Sequence, residues 1–145
     1  MPEAVRAFLK AVAWGAFVPG CPFLVGSVPL GLVLILGGEF SLGLYALFIP
    51  FLLPAAWVFP SMLFICLPLT LYLRSRNLED AGLYTKLGMI AGAAIAVMGG
   101  LIIDGTMGFG LFLGIFGAVG GAVSGRVWGK WREEQAQAEA AEEQT

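Results

Sequence analysis

Between Lys10 and Arg74 the sequence carries a single charged residue, Glu39. No soluble fold hides so long a run of Leu, Ile, Val, Phe and Gly. Across the whole chain 12% of residues are charged, about half the ~25% of an average soluble domain. Hydrophobic residues make up 59%, and the mean hydropathy is +0.87. The pattern is that of an all-α chain crossing a bilayer several times, because only helices satisfy their own backbone in hydrocarbon.

Apolar stretches place four spans at about 12–37, 44–73, 85–103 and 107–127. The last two match the ~20 residues that one crossing needs. The first two are longer and hold several prolines, Pro19, Pro22 and Pro29 in one and Pro50, Pro54, Pro60 and Pro68 in the other. Each proline removes a backbone donor and bends a helix, so both spans are expected to be kinked. For the second stretch two readings stand: one tilted helix, or an interfacial or re-entrant piece up to Ala56 with the span proper starting at Trp57. Two full crossings there are excluded by the charges that follow.

All eight basic residues (Arg6, Lys10, Arg74, Arg76, Lys86, Arg126, Lys130 and Arg132) fall before the first span, between the second and third, or after the fourth. The other two connections hold Glu39 and Asp104 instead. Lys and Arg near span ends favour the cytoplasmic side. Four spans with both termini cytoplasmic put every one of them there, and an odd number would divide them. Trp14, Tyr72, Tyr84, Trp128 and Trp131 fall near the same interface, where such rings prefer to sit. Lys86, just inside the third span, reaches the headgroups by extending its side chain. Asn77 is a candidate cap for the third helix, with Glu79 and Asp80 in its first turn.

Residues 1–11 place Val5, Phe8 and Leu9, with Val12, on one helical face, which predicts a short amphipathic helix on the cytoplasmic surface. Residues 128–145 form a polar cytoplasmic tail rich in Ala, Glu and Gln, a solvated helix or a disordered end. Domain organisation is thus 1–11, a transmembrane domain over 12–127, and 128–145. Cys21 and Cys66 sit within apolar runs at no metal-binding spacing and read as buried apolar side chains. A lipoprotein signal ending at Cys21 is disfavoured by Pro19 and by the apolar residues that follow the cysteine.

Glycine is concentrated in 108–125. Gly108-x-Gly110 resembles the start of a dinucleotide-binding loop, but Leu113 occupies the third glycine position and no phosphate-loop lysine follows. The spacing of Gly110, Gly114, Gly117, Gly121 and Gly125 defines one helical face instead. Gly88, Gly92, Ala96 and Gly99 define another in the third span. The short 104–106 connection makes these spans an antiparallel hairpin, and small faces of this kind let helices approach closely. The expected arrangement has the two glycine faces meeting within one chain; in the other, the fourth-span face meets a second copy.

No histidine is present, which removes the commonest general base and metal ligand. No catalytic, cofactor-binding or metal-binding residue is nominated, and the near-neutral charge of −2 gives no sign of nucleic acid. The expected role is that of a non-enzymatic small protein of the bacterial inner membrane. It would act through helix–helix contacts as an accessory or scaffold subunit, with the bilayer and a second copy or another membrane protein as partners. The other reading is a small channel, transporter or holin-like pore assembled through the fourth span.

Orientation is open to direct measurement. Fusions of a periplasm-dependent phosphatase at Gly38 and Gly105 should be active, and one at Ser75 inactive. Activity at Ser75 would invert the topology.

Overall fold

A computed structural model describes residues 3–76 and 78–142. They are helical almost throughout. α1 (Glu3–Gly20) passes through a 3-10 turn at Cys21–Phe23 into α2 (Leu24–Leu36). α3 (Phe40–Ser61) continues through a π turn at Met62–Cys66 into α4 (Leu67–Ser75), followed by α5 (Ala81–Asp104) and α6 (Met107–Glu142). Four helical stretches, Glu3–Leu36, Phe40–Ser75, Ala81–Asp104 and Met107–Glu142, are long and apolar enough to cross a membrane.

Local chemistry accounts for the boundaries. Gly38 and Gly105 have φ of +92° and +71°, a left-handed conformation that glycine adopts without penalty. Gly105 closes α5, its N–H donating to the Leu101 carbonyl at 2.9 Å. Asp80 begins α5 by accepting from the Leu83 N–H at 2.8 Å. Asp80 is thus the cap of α5; the candidate Asn77 lies outside the described residues. Glu79 precedes that cap and so lies outside the first turn of α5; it pairs with Arg132, as described below.

The second long stretch is one helical run from Phe40 to Ser75 with the π turn inside it. Pro68 has no N–H for the Phe64 carbonyl, and its ring crowds that oxygen. A widened turn at Met62–Cys66 relieves this. Two hydroxyls satisfy carbonyls nearby: Ser61 donates to Trp57 O at 2.6 Å and Thr70 to Cys66 O at 2.7 Å.

The N-terminus departs from expectation. Residues 3–11 are not a separate surface helix but the first turns of α1, which is unbroken to Gly20. Its packed face is Ala7, Ala11 and Gly15, all buried, whereas Val5 and Leu9 are exposed. Small residues four apart let α1 lie close to α6, and of the expected face only Val12 and Phe8 pack against the core. The polar C-terminal segment likewise continues α6 as helix to Glu142, with Trp128, Gly129 and Arg132 buried.

Packing is uneven along the molecule. The core cluster of Ala7, Ala11, Val12, Met62, Leu73, Tyr84 and Trp128 gathers toward the end that carries the basic residues. Phe8 meets Phe59 and Trp128 edge-on there, with ring centroids 5.8 and 6.3 Å apart, joining α1, α3 and α6. At the opposite end α2 packs chiefly on α3, and Gly31 is its only buried residue.

Two alanine substitutions separate backbone conformation from space, since nothing lies within 4 Å of a side chain added at Gly105 or Gly108. Gly105→Ala, forced left-handed, should destabilise by about 1–2 kcal/mol. Gly108→Ala, inside α6, should be neutral or stabilise by up to about 1 kcal/mol. Reversible unfolding in mixed micelles measures both.

Candidate functional site

The closest helix pair is α5 with α6. A methyl on Gly88 would collide with the Gly121 carbonyl oxygen, and one on Gly92 with that of Gly117. In return, Gly117 and Gly121 face the Gly92 and Gly88 carbonyls, Ala96 packs on Gly117, and Gly125 meets the Tyr84 carbonyl. Farther along, a methyl on Gly110 would lie 3.0 Å from Val97 O, and one on Gly114 2.6 Å from the Val97 side chain. Gly99 is the exception among the glycines picked out by spacing: a methyl there would lie 3.2 Å from the Trp57 ring and meet nothing of α6 so closely.

Several close approaches have no counterpart in the spacing argument. Gly100 meets the Gly110 Cα, and Gly129 meets Ala81 and Tyr84. A second face of α6, Gly120 and Ser124, receives Gly15 of α1, and Gly31 of α2 lies against Gly43 of α3. The regular small-residue spacing of Ala7, Ala11 and Gly15 was the available signal for the α1 contact. Nothing in the sequence marks which face of α6 it would choose.

Because glycines close this seam, few side chains fill the space beside it. Between the π turn and α5 lies an apolar hollow of about 100 Å³ with α6 as its floor. Trp57, Ser61, Met62, Ile65, Cys66 and Leu69 form one wall; Tyr84, Leu87, Ala91 and Ile95 form the other; Gly117, Gly121 and Ser124 lie behind. The hollow is half-enclosed.

At its basic end sits a small polar cluster. The buried Trp128 indole donates to Thr70 Oγ1 at 2.9 Å, giving its N–H the partner that burial demands. The Thr70 hydroxyl in turn donates to Cys66 O, so one hydroxyl links α4 to α6. Tyr84, 1% exposed, has its hydroxyl beside Thr70, whereas the buried Ser124 hydroxyl lies against Gly15 of α1.

Arg132 lies just beyond. Its Nε and Nη2 donate to Glu79 at 2.9 and 2.7 Å, and Nη2 reaches the second carboxylate oxygen at 3.0 Å. Side-chain exposures of 9% and 8% make this a nearly dry bidentate pair, with the guanidinium also 5.4 Å from the Trp131 ring. The pair clamps the turn before α5 to α6. By contrast, Arg74 and Glu139 pair at 3.1 Å in the open, where such contacts contribute little.

The remaining basic residues, Arg6, Lys10, Arg76, Lys86, Arg126 and Lys130, are exposed. Arg76 stands 5.7 Å from the Tyr72 ring, and Lys86 lines a shallow polar recess with Glu79 and Asp80. Glu39 and Asp104 are exposed at the opposite turns, where Thr106 donates to Asp104. Both cysteines are free thiols. Among the described residues no three His, Cys, Asp or Glu side chains come together to hold a metal.

Four long apolar helices of this kind define a multi-pass membrane protein. Comparison with known proteins finds no match: no family model, no curated protein and no solved structure aligns significantly with the chain.

The clamp yields a signed prediction. Glu79→Ala leaves a buried guanidinium unpaired and should destabilise by about 3–5 kcal/mol. Adding Arg132→Leu to it should restore most of that loss, as a double-mutant cycle in micelles would show.

Proposed function

We propose that this chain is a non-enzymatic subunit of the bacterial inner membrane that acts through helix–helix contacts, as an accessory or scaffold to another membrane protein. In this reading the N-terminus, the 74–86 connection and the C-terminal end of α6 face the cytoplasm, following the distribution of Lys and Arg. The observation that carries it is the α2–α3 arm. Leu36, Val33, Phe40 and Tyr45 are 87%, 66%, 62% and 67% exposed, and α2 packs chiefly on α3, which itself packs on α1. The arm offers a long outward face to another transmembrane segment. The ionisable side chains flank the apolar stretches instead of meeting at mid-depth, where the charged residues of transporters usually lie.

The conduit reading required the α6 glycine face to join copies of the chain. Gly117, Gly121 and Gly125 are in contact with Gly92, Gly88 and Tyr84 of the same chain, which supports the accessory role over assembly through that face.

Extraction from native membranes in mild detergent should recover the chain with one distinct membrane protein. Val33→Ala with Tyr45→Ala should reduce that recovery without lowering the chain's own melting temperature. Liposomes holding the pure chain should pass no ions. A ring of identical copies that conducts, and stops conducting with Gly121→Ile, would replace this reading by the conduit.

A further inference from the structure

Two of the basic side chains have acidic partners, Arg132 with Glu79 and Arg74 with Glu139. Arg76 rests against the Tyr72 ring, and Lys86 borders Glu79 and Asp80. Arg6, Lys10, Arg126 and Lys130 are exposed and form no ion pair among the described residues. The packing of α1 on α6 brings these four together.

Arg6 and Lys10 stand one turn apart on α1, each directly before an alanine of its buried face, Ala7 or Ala11. Phe8, one step of about 100° past Ala7, meets Phe59 of α3. Arg6, one step the other way, lies on the side away from α3. On α6, Arg126 and Lys130 directly follow Gly125 and Gly129, which face α5, and so lie on the outer side of that helix. α1 and α6 run antiparallel, because Gly15 meets Gly120 and Ser124 while Phe8 meets Trp128. That register sets Lys10 level with Arg126 and Val127, and Arg6 level with Lys130. The two cationic rows therefore rim the outer side of one helix contact, on axes about 8 Å apart.

Depth adds a second constraint. The run 107–125 that precedes Arg126 has no charge, and its nineteen residues rise about 28 Å, close to the ~30 Å of bilayer hydrocarbon. The four cations thus stand at the level of lipid phosphates. Below them the surface is apolar, with Trp14 of α1 and Val119 of α6 47% and 41% exposed. The exposed acids Glu3 and Glu134 lie about one turn farther out, on the aqueous side of the cationic band.

We infer that the outer α1–α6 surface binds an anionic phospholipid with two phosphates, its headgroup among Arg6, Lys10, Arg126 and Lys130 and its acyl chains against Trp14 and Val119. Basic clusters between transmembrane helices suit headgroups of this kind. Two rows of paired cations match two phosphodiesters, whereas a single phosphate would engage only one row. A zwitterionic headgroup brings its own ammonium into a field that is already positive. The apolar surface beneath the cations favours a lipid over a soluble anion, which would leave it uncovered. The inference is independent of the accessory role proposed above.

The test is native mass spectrometry of the full chain in neutral detergent, titrated with diphosphatidylglycerol, phosphatidylglycerol or phosphatidylcholine. One diphosphatidylglycerol should be retained per chain, at least tenfold more tightly than either of the others. Lys10→Gln with Lys130→Gln takes one cation from each row and should weaken that binding about 25-fold, at roughly fivefold per charge. Arg76→Gln with Lys86→Gln removes the same charge elsewhere at this end and should leave it unchanged. All four side chains are exposed, so both variants should keep the melting temperature of the parent. Equal weakening by the two pairs would overturn the proposal, since it would reveal a diffuse field instead of a site. So would equal retention of phosphatidylcholine or of phosphatidylglycerol, or displacement of the lipid by equimolar pyrophosphate.

Discussion

Along the seam between α5 and α6, backbone lies against backbone. Lipid tails are as apolar as leucine, so no hydrophobic force draws two helices together inside a bilayer, and association rests on close van der Waals contact and weak polar contacts. The Gly121 carbonyl oxygen occupies the place where a side chain on Gly88 would be, and Gly117 stands in the same relation to Gly92. That geometry brings Cα–H groups to carbonyl oxygens, at the cost of removing every side chain from the contact. The glycines cost helix propensity and gain proximity in return.

The same device recurs with different partners. Gly15 of α1 approaches Gly120 and Ser124 on a second face of α6, and Gly31 approaches Gly43 where α2 meets α3. α6 is thus in close contact on two sides, which accounts for the larger buried share of its span, 22% against 11% for α5. A side effect of such a flat seam is the hollow beside it. Helices that touch through glycine leave no large side chains to fill the adjoining groove, and the π turn opposite leaves it open.

Polar interactions hold the basic end of the molecule, where the Trp128–Thr70 bond and the Arg132–Glu79 pair sit beside the buried aromatic cluster. Both cross from α6 to the neighbourhood of α4 and α5, and both are dry enough for their geometry to matter. The opposite end lacks a comparable lock. There α2 meets α3 through Gly31 and Gly43, and most of the apolar side chains of the two helices face outward. A firm end and an open arm fit a protein that stands on one hairpin and offers another.

The number and extent of the apolar helices were legible in the sequence, because hydrocarbon thickness and backbone hydrogen bonding permit little else once charge disappears from so long a run. The turn at Gly105 was legible for a similar reason: a short Asp-Gly-Thr link between two apolar helices leaves few conformations. Helical spacing also showed that Gly88, Gly92, Gly117 and Gly121 share faces, since that depends only on the pitch of a helix. Which face meets which neighbour is a different matter, and only the fold decided it. Gly99 shares its face with Gly92 yet packs on Trp57, and Ala7 and Ala11, not the larger Val5 and Leu9, turn inward. Asp80 caps α5, while Glu79 beside it turns to Arg132. Periodicity is a property of one helix, whereas packing in a bilayer is chosen by the fit between two surfaces, and that fit exists only when both helices are in place.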